Sequence, residues 1–126
     1  MSLKHFLLIA ILFLSIVVNF YRLDTNPPGL YIDEVSIGVN ASSILKTGRD
    51  EHGVKFPLYF KAYGEYKLPV YIYLTSASMF LFGKNEFAIR SPSAFLGIVT
   101  ICLLYLLLTE LLRKDISIIS KYKNRI

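Results

Sequence analysis

Two adjacent carboxylates, Asp33 and Glu34, stand at the start of a helical pattern. A helix N-terminus favours the ionised form of a carboxylate placed on it. An ionised carboxylate can take a proton from a hydroxyl at close range. It can also hold a hard divalent cation through oxygen. The same residues also make an ordinary helix start, with Asp33 as the N-cap and Glu34 in an acidic first turn. The dipeptide is therefore a candidate catalytic pair whose competing role is capping.

Three further charged residues join it as candidates. Glu65 and Lys67 precede an apolar stretch, and Arg90 precedes another. An ammonium serves as a point-charge partner for phosphate, so Lys67 and Arg90 could face an anionic lipid headgroup, with Glu65 beside them. Their plain alternative is solvated rim charge. Asp50-Glu51-His52 has the residue types of a metal site, but three consecutive side chains rarely converge on one ion. Cys102 is the only cysteine and lies in an apolar run, which excludes an intrachain disulfide and a cysteine-based metal site.

The elements that must position these groups are largely apolar. The 126 residues are 54% hydrophobic, concentrated in the runs 6–18, 68–82 and 95–112. This clustering points to a bilayer rather than a water-soluble core. Residues 1–22 read as a first transmembrane helix, with Lys4 and Arg22 snorkelling and Phe20 and Tyr21 at the far interface. A cleaved signal peptide is the rival, but Val17, Val18, Asn19 and Phe20 make a poor cleavage site. Pro27-Pro28-Gly29 breaks the chain. A helix follows near 33–47, with Ile37, Ala41, Ile44 and Leu45 on one face and Gly48 as its C-cap. Asn40-Ala41-Ser42 is formally a glycosylation sequon, placed mid-helix. Residues 49–64 read as an ordered loop. The run near 67–82 is short for a span and rich in tyrosine at its start, so it reads as a helix on the membrane surface, with a third span as the alternative. Ser91 and Pro92 suit the start of a second transmembrane helix over 91–112.

Charge sets the orientation. The outer loop 23–90 and its flanking Arg22 are nearly neutral, with eight basic and seven acidic residues. The tail 113–126 carries Arg113, Lys114, Lys121, Lys123 and Arg125 against Asp115. A basic tail after an apolar helix reads as a cytoplasmic anchor. Both termini are then cytoplasmic and the loop lies on the outer face of the plasma membrane. The expected fold is an all-α membrane protein: two transmembrane helices flanking a long outer loop with two surface, juxtamembrane helices. No basic face interleaved with stacking aromatics supports nucleic-acid binding.

The order of motifs resembles the N-terminus of the GT-C superfamily of glycosyltransferases. The run Asn26-Pro27-Pro28-Gly29-Leu30-Tyr31-Ile32-Asp33-Glu34 leads into a helix ending at Gly48. Gly64-Glu65-Tyr66-Lys67-Leu68-Pro69-Val70-Tyr71 follows, then Leu81-Phe82-Gly83 and Glu86-Phe87-Ala88-Ile89-Arg90-Ser91-Pro92-Ser93. Dolichyl-phosphate-mannose protein mannosyltransferases and aminoarabinose transferases are among the members. The resemblance implies transfer of a sugar from a polyprenyl-phosphate donor to an acceptor. It implies Asp33 as catalytic base or acceptor-orienting group with Glu34 as its partner, and Glu65, Tyr66 and Lys67 near the donor phosphate and, in some members, a divalent metal ion. Many members read Lys-Pro-Pro-Leu-Tyr where this chain has Lys67-Leu68-Pro69-Val70-Tyr71. In some, the acidic residue directly precedes the lysine, whereas Glu65 stands two before it. Two spans cannot enclose the phosphate, so the chain is expected to be an N-terminal fragment, inactive alone, or one part of a split enzyme. The alternative is a small non-catalytic membrane protein that binds lipid or partner helices.

Overall fold

The computed structural model describes residues 3–123, with side chains described for 3 and 5–112. The order is α1 (Leu3–Phe20), α2 (Ile32–Thr47), β1 (Phe60–Ala62), β2 (Glu65–Lys67), α3 (Pro69–Phe82) and α4 (Glu86–Lys123). Helix α2 packs on α3, α3 on α4, and α1 along α4. The side chains of the expected basic tail lie outside the described residues.

Helix α2 ends as its sequence predicts. Gly48 adopts the left-handed conformation at φ 67°, and its N–H donates to the Ile44 carbonyl at 2.8 Å. A Cβ there would lie 2.9 Å from the Phe56 ring, so both backbone and space select glycine. The start differs from expectation. Tyr31, not Asp33, is the N-cap residue, and Glu34 reaches back to accept the Tyr31 N–H at 2.9 Å. This is the acidic half of a capping box.

The core is small: Ala41 and Ile44 of α2, Phe60 of β1, Ile72 and Met79 of α3, and Ala88 and Ile89 of α4. Gly38 lets it close, because a Cβ there would sit 2.9 Å from Ile89 Cδ1. Asn40 is buried beside it. Its amide donates to the Ser36 carbonyl and the Glu51 carboxylate, and its Oδ1 accepts the Glu51 N–H. The sequon asparagine is thus a brace between α2 and the following loop.

That loop contains a feature the all-α expectation lacked. β1 and β2 form an antiparallel hairpin with Phe60 opposite Lys67, Lys61 opposite Tyr66 and Ala62 opposite Glu65. Lys67 therefore belongs to a strand, and α3 begins at Pro69. Helix α4 also starts earlier than expected. Asn85 Oδ1 accepts the Ala88 N–H at 2.8 Å as an N-cap does. Ser91 and Pro92 lie inside the helix, where the Ser91 hydroxyl meets that of Ser78 at 2.7 Å.

Among the described residues one helix, Glu86–Leu112, is long and apolar enough to cross a membrane, and its apolar window is not buried within the chain. The apolar stretch of α1, His5–Phe20, falls short of that length, and so does α3. At about 1.5 Å per residue, the 14 residues of α3 reach about 21 Å against a hydrocarbon core of about 30 Å. Helix α3 is inverted relative to a soluble helix. Thr75, Ser76 and Ser78 are buried, while Phe80, Leu81 and Phe82 are exposed. Small hydroxyl residues facing neighbouring helices, with bulky apolar ones outward, suit an apolar surrounding.

Candidate functional site

The five sequence-predicted residues form two clusters. Asp33 in the first turn of α2 meets Lys67 at the end of β2. Lys67 Nζ donates to Asp33 Oδ1 at 2.6 Å and to Glu65 Oε1 at 3.2 Å. Glu65 and Lys67 reach one point because strand side chains alternate, so residues two apart share a face. The spacing that departs from the family's pattern is thus the spacing a strand requires. The two carboxylates are open to solvent, at 60% and 65% side-chain exposure, whereas the lysine is at 15%. The ammonium is held below an accessible rim of negative charge. Its hydrogen bond to Asp33, reinforced by Glu65, raises the Lys67 pKa above the ordinary lysine value despite partial burial.

The second cluster is part-buried, with Arg90 buried and Glu34 half-buried, and it is fully paired. Arg90 grips Glu34 in a bidentate fork, Nε to Oε1 at 2.8 Å and Nη2 to Oε2 at 3.0 Å. Its remaining donors go to backbone carbonyls: Nη1 to Leu23 and Pro27, and Nη2 to Gly29 at 2.6 Å. These are all five N–H groups a guanidinium has. Gly29 takes φ 73° in doing so, a conformation that glycine adopts freely. The turn after α1, the start of α2 and the start of α4 are therefore tied at one side chain. Arg90 has no donor left for a lipid headgroup. Neither oxygen of Glu34 is free, since Oε2 also takes the Tyr31 N–H. The sequence offered no sign of the three carbonyls beyond the Pro27-Pro28-Gly29 turn that presents them.

The Arg90 hydrogen bonds hold the Glu34 carboxyl below its ordinary value, against a smaller opposing effect of burial. A depressed folded-state pKa stabilises above the unfolded value and is lost as pH falls through the folded one. The clasp is expected to be intact above about pH 4.5 and to open on further acidification. Proteolysis of the 21–31 turn, followed against pH in detergent, should rise in that acid window in the parent protein and not in Glu34→Gln.

Among the described residues no three His, Cys, Asp or Glu side chains are grouped to hold an ion. Asp33 and Glu65 already share the Lys67 ammonium, which stands where a cation would. Asp50 of the Asp50-Glu51-His52 triplet instead orders its own turn, its Oδ1 accepting the N–H groups of His52 and Val54 at 2.9 and 2.8 Å.

Residues 66–122 match the family model for dolichyl-phosphate-mannose-protein mannosyltransferase. Through this segment, somewhat less than half of the chain, the protein is similar to that family. The match includes Lys67 and Arg90 and starts beyond Asp33, Glu34 and Glu65. No curated protein and no solved structure gives a significant match. With the apolar α4, the matched segment marks a membrane protein related to the glycosyltransferases.

Proposed function

We propose that this chain supplies the first outer loop of a GT-C-type, polyprenyl-phosphate-dependent glycosyltransferase, with Asp33 and Lys67 as its working pair. In this reading α1 and α4 cross the plasma membrane as neighbours, both ends are cytoplasmic, and the loop faces outward. Further membrane helices, from the same protein or from the other part of a split enzyme, complete the lipid cavity. The supporting observation is the Lys67–Asp33 contact: a cation and a base, 2.6 Å apart, at an exposed rim.

The chemistry assigns them complementary tasks. The acceptor hydroxyl gives its proton to Asp33 as its oxygen bonds to the anomeric carbon of the donor sugar. The bond from that carbon to the phosphate oxygen breaks, and the electron pair leaves with the polyprenyl phosphate. Lys67, released from Asp33 as the carboxylate is protonated, meets the growing phosphate charge. Glu65 keeps the ammonium in place. Glu34 and Arg90 act as positioning residues by fixing the start of α2. No step is routed through a metal ion.

The test is sugar transfer from a polyprenyl-phosphate-linked donor in membranes of the source cells. Lys67→Gln should lower turnover about 10²-fold, the scale of removing one preorganised charge-stabilising donor. Unchanged turnover would overturn the assignment of Lys67 to the leaving phosphate.

A further inference from the structure

The hairpin has two faces, and only one serves the Asp33–Lys67 pair. On the other, Lys61 and Tyr66 stand as cross-strand partners, and the Tyr59 ring packs edge-on against Tyr66 with centroids 5.3 Å apart. These residues, with Asp50, His52 and Leu58, line a cavity of about 540 Å³ between the hairpin and the turn after α2. That volume lies within the usual range for small-ligand sites of about 300–1,000 Å³.

Asp50 is the informative group. It is 5% exposed, yet its two oxygens are used unequally. Oδ1 takes both N–H groups of the turn, while Oδ2 has no hydrogen bond among the described residues. Oδ2 is not among the fully buried polar atoms left without a partner, so it stays accessible as an acceptor. Across the cavity, His52 Nε2 lies 3.1 Å from the Lys61 carbonyl. A carbonyl can only accept, so Nε2 carries a proton, and in the Nε2–H tautomer Nδ1 is an acceptor. The cavity therefore combines two hydrogen-bond acceptors, the Lys61 ammonium and two tyrosine rings.

We infer that this cavity is a saccharide subsite, with Asp50 accepting sugar hydroxyls and the Tyr59–Tyr66 pair supporting the apolar C–H face of a pyranose ring. An inorganic anion would meet the Asp50 carboxylate, and a metal ion would find one carboxylate and no second. A neutral polyhydroxyl ring fills both the acceptors and the aromatic wall. The site lies on the hairpin face opposite Lys67, and its saccharide binding stands whether or not the chain takes part in sugar transfer.

The experiment is titration of the full chain in nanodiscs with methyl α-D-mannopyranoside and methyl α-D-glucopyranoside, followed by ligand-observed saturation-transfer NMR. Saturable binding is expected for at least one glycoside. Asp50→Asn keeps an oxygen for the two N–H groups and replaces the other by a donor, and it should weaken binding about tenfold or more. Tyr66→Leu, away from the turn, should do the same with an unchanged circular dichroism spectrum. Absence of saturable binding up to about 50 mM, or equal binding by the parent and both variants, would overturn the site. So would broadening of the Tyr59 and Tyr66 resonances by a paramagnetic lipid, which would place the rings in the bilayer.

Discussion

Arg90→Met is expected to destabilise the chain by about 3–5 kcal/mol, the usual result of removing one partner from a buried, hydrogen-bonded charge pair. The substitution roughly keeps side-chain bulk and removes all five donors. Glu34 is left with its charge uncompensated at 26% side-chain exposure. The carbonyls of Leu23, Pro27 and Gly29 lose the group that gathers them. Denaturant unfolding in detergent measures the loss, and limited proteolysis should place the first cleavages in the 21–31 turn. Glu34→Gln should cost less, about 1–3 kcal/mol, because an amide oxygen still accepts one bond. The double variant should fall short of the sum, as expected for residues in one network. Parental stability in Arg90→Met would mean that the guanidinium does not hold the fold and would return Arg90 to the lipid-headgroup role its position in the sequence suggests.

The contrast between Arg90 and Asp33 shows what a sequence discloses about this protein. Helix α2 was legible because its signals are local: a Pro-Pro-Gly break before it, a periodic apolar face and Gly48 after it. The hairpin was hidden because strands of three residues are too short to establish a period. The start of α4 was misplaced for a definite reason. Ser91-Pro92 has the form of a helix start, yet Asn85 provides the cap, and Pro92 sits within the helix, where the Ser91 hydroxyl approaches the Ala88 carbonyl at 3.5 Å. A proline at that position forfeits the bond to the same carbonyl, so the serine partly replaces what its neighbour removes. The charged residues themselves stand out in the sequence, but their partners do not. Asp33 finds Lys67 across 34 residues and Glu34 finds Arg90 across 56. No local pattern encodes such pairings. Two adjacent acids consequently receive opposite surroundings, one open and one clasped.

Asp33→Asn is expected to lower sugar transfer by about 10²–10⁴-fold, the range attributed to a positioned general base, with little change in stability. The two effects separate because of where Asp33 lies. Its pair with Lys67 is short but solvent-facing at 60% exposure, and exposed ion pairs contribute about 0–1 kcal/mol. Asparagine preserves the shape of the first helical turn and still accepts a hydrogen bond from Lys67. It cannot take the acceptor's proton. Glu34→Gln supplies the converse: its loss should appear first in unfolding, and in turnover only to the extent that the start of α2 shifts. Asp33→Glu restores a carboxylate one methylene further out and should recover part of the rate, which a purely structural role for Asp33 would not require. The measurement is turnover of a polyprenyl-phosphate-linked donor in membranes of the source cells, with unfolding of each variant in detergent as the companion readout. Equal turnover in the parent and Asp33→Asn would remove Asp33 from the reaction. A stability loss in Asp33→Asn as large as that of Glu34→Gln would instead make both acids parts of the helix start, and the open rim at Asp33 would have no catalytic meaning.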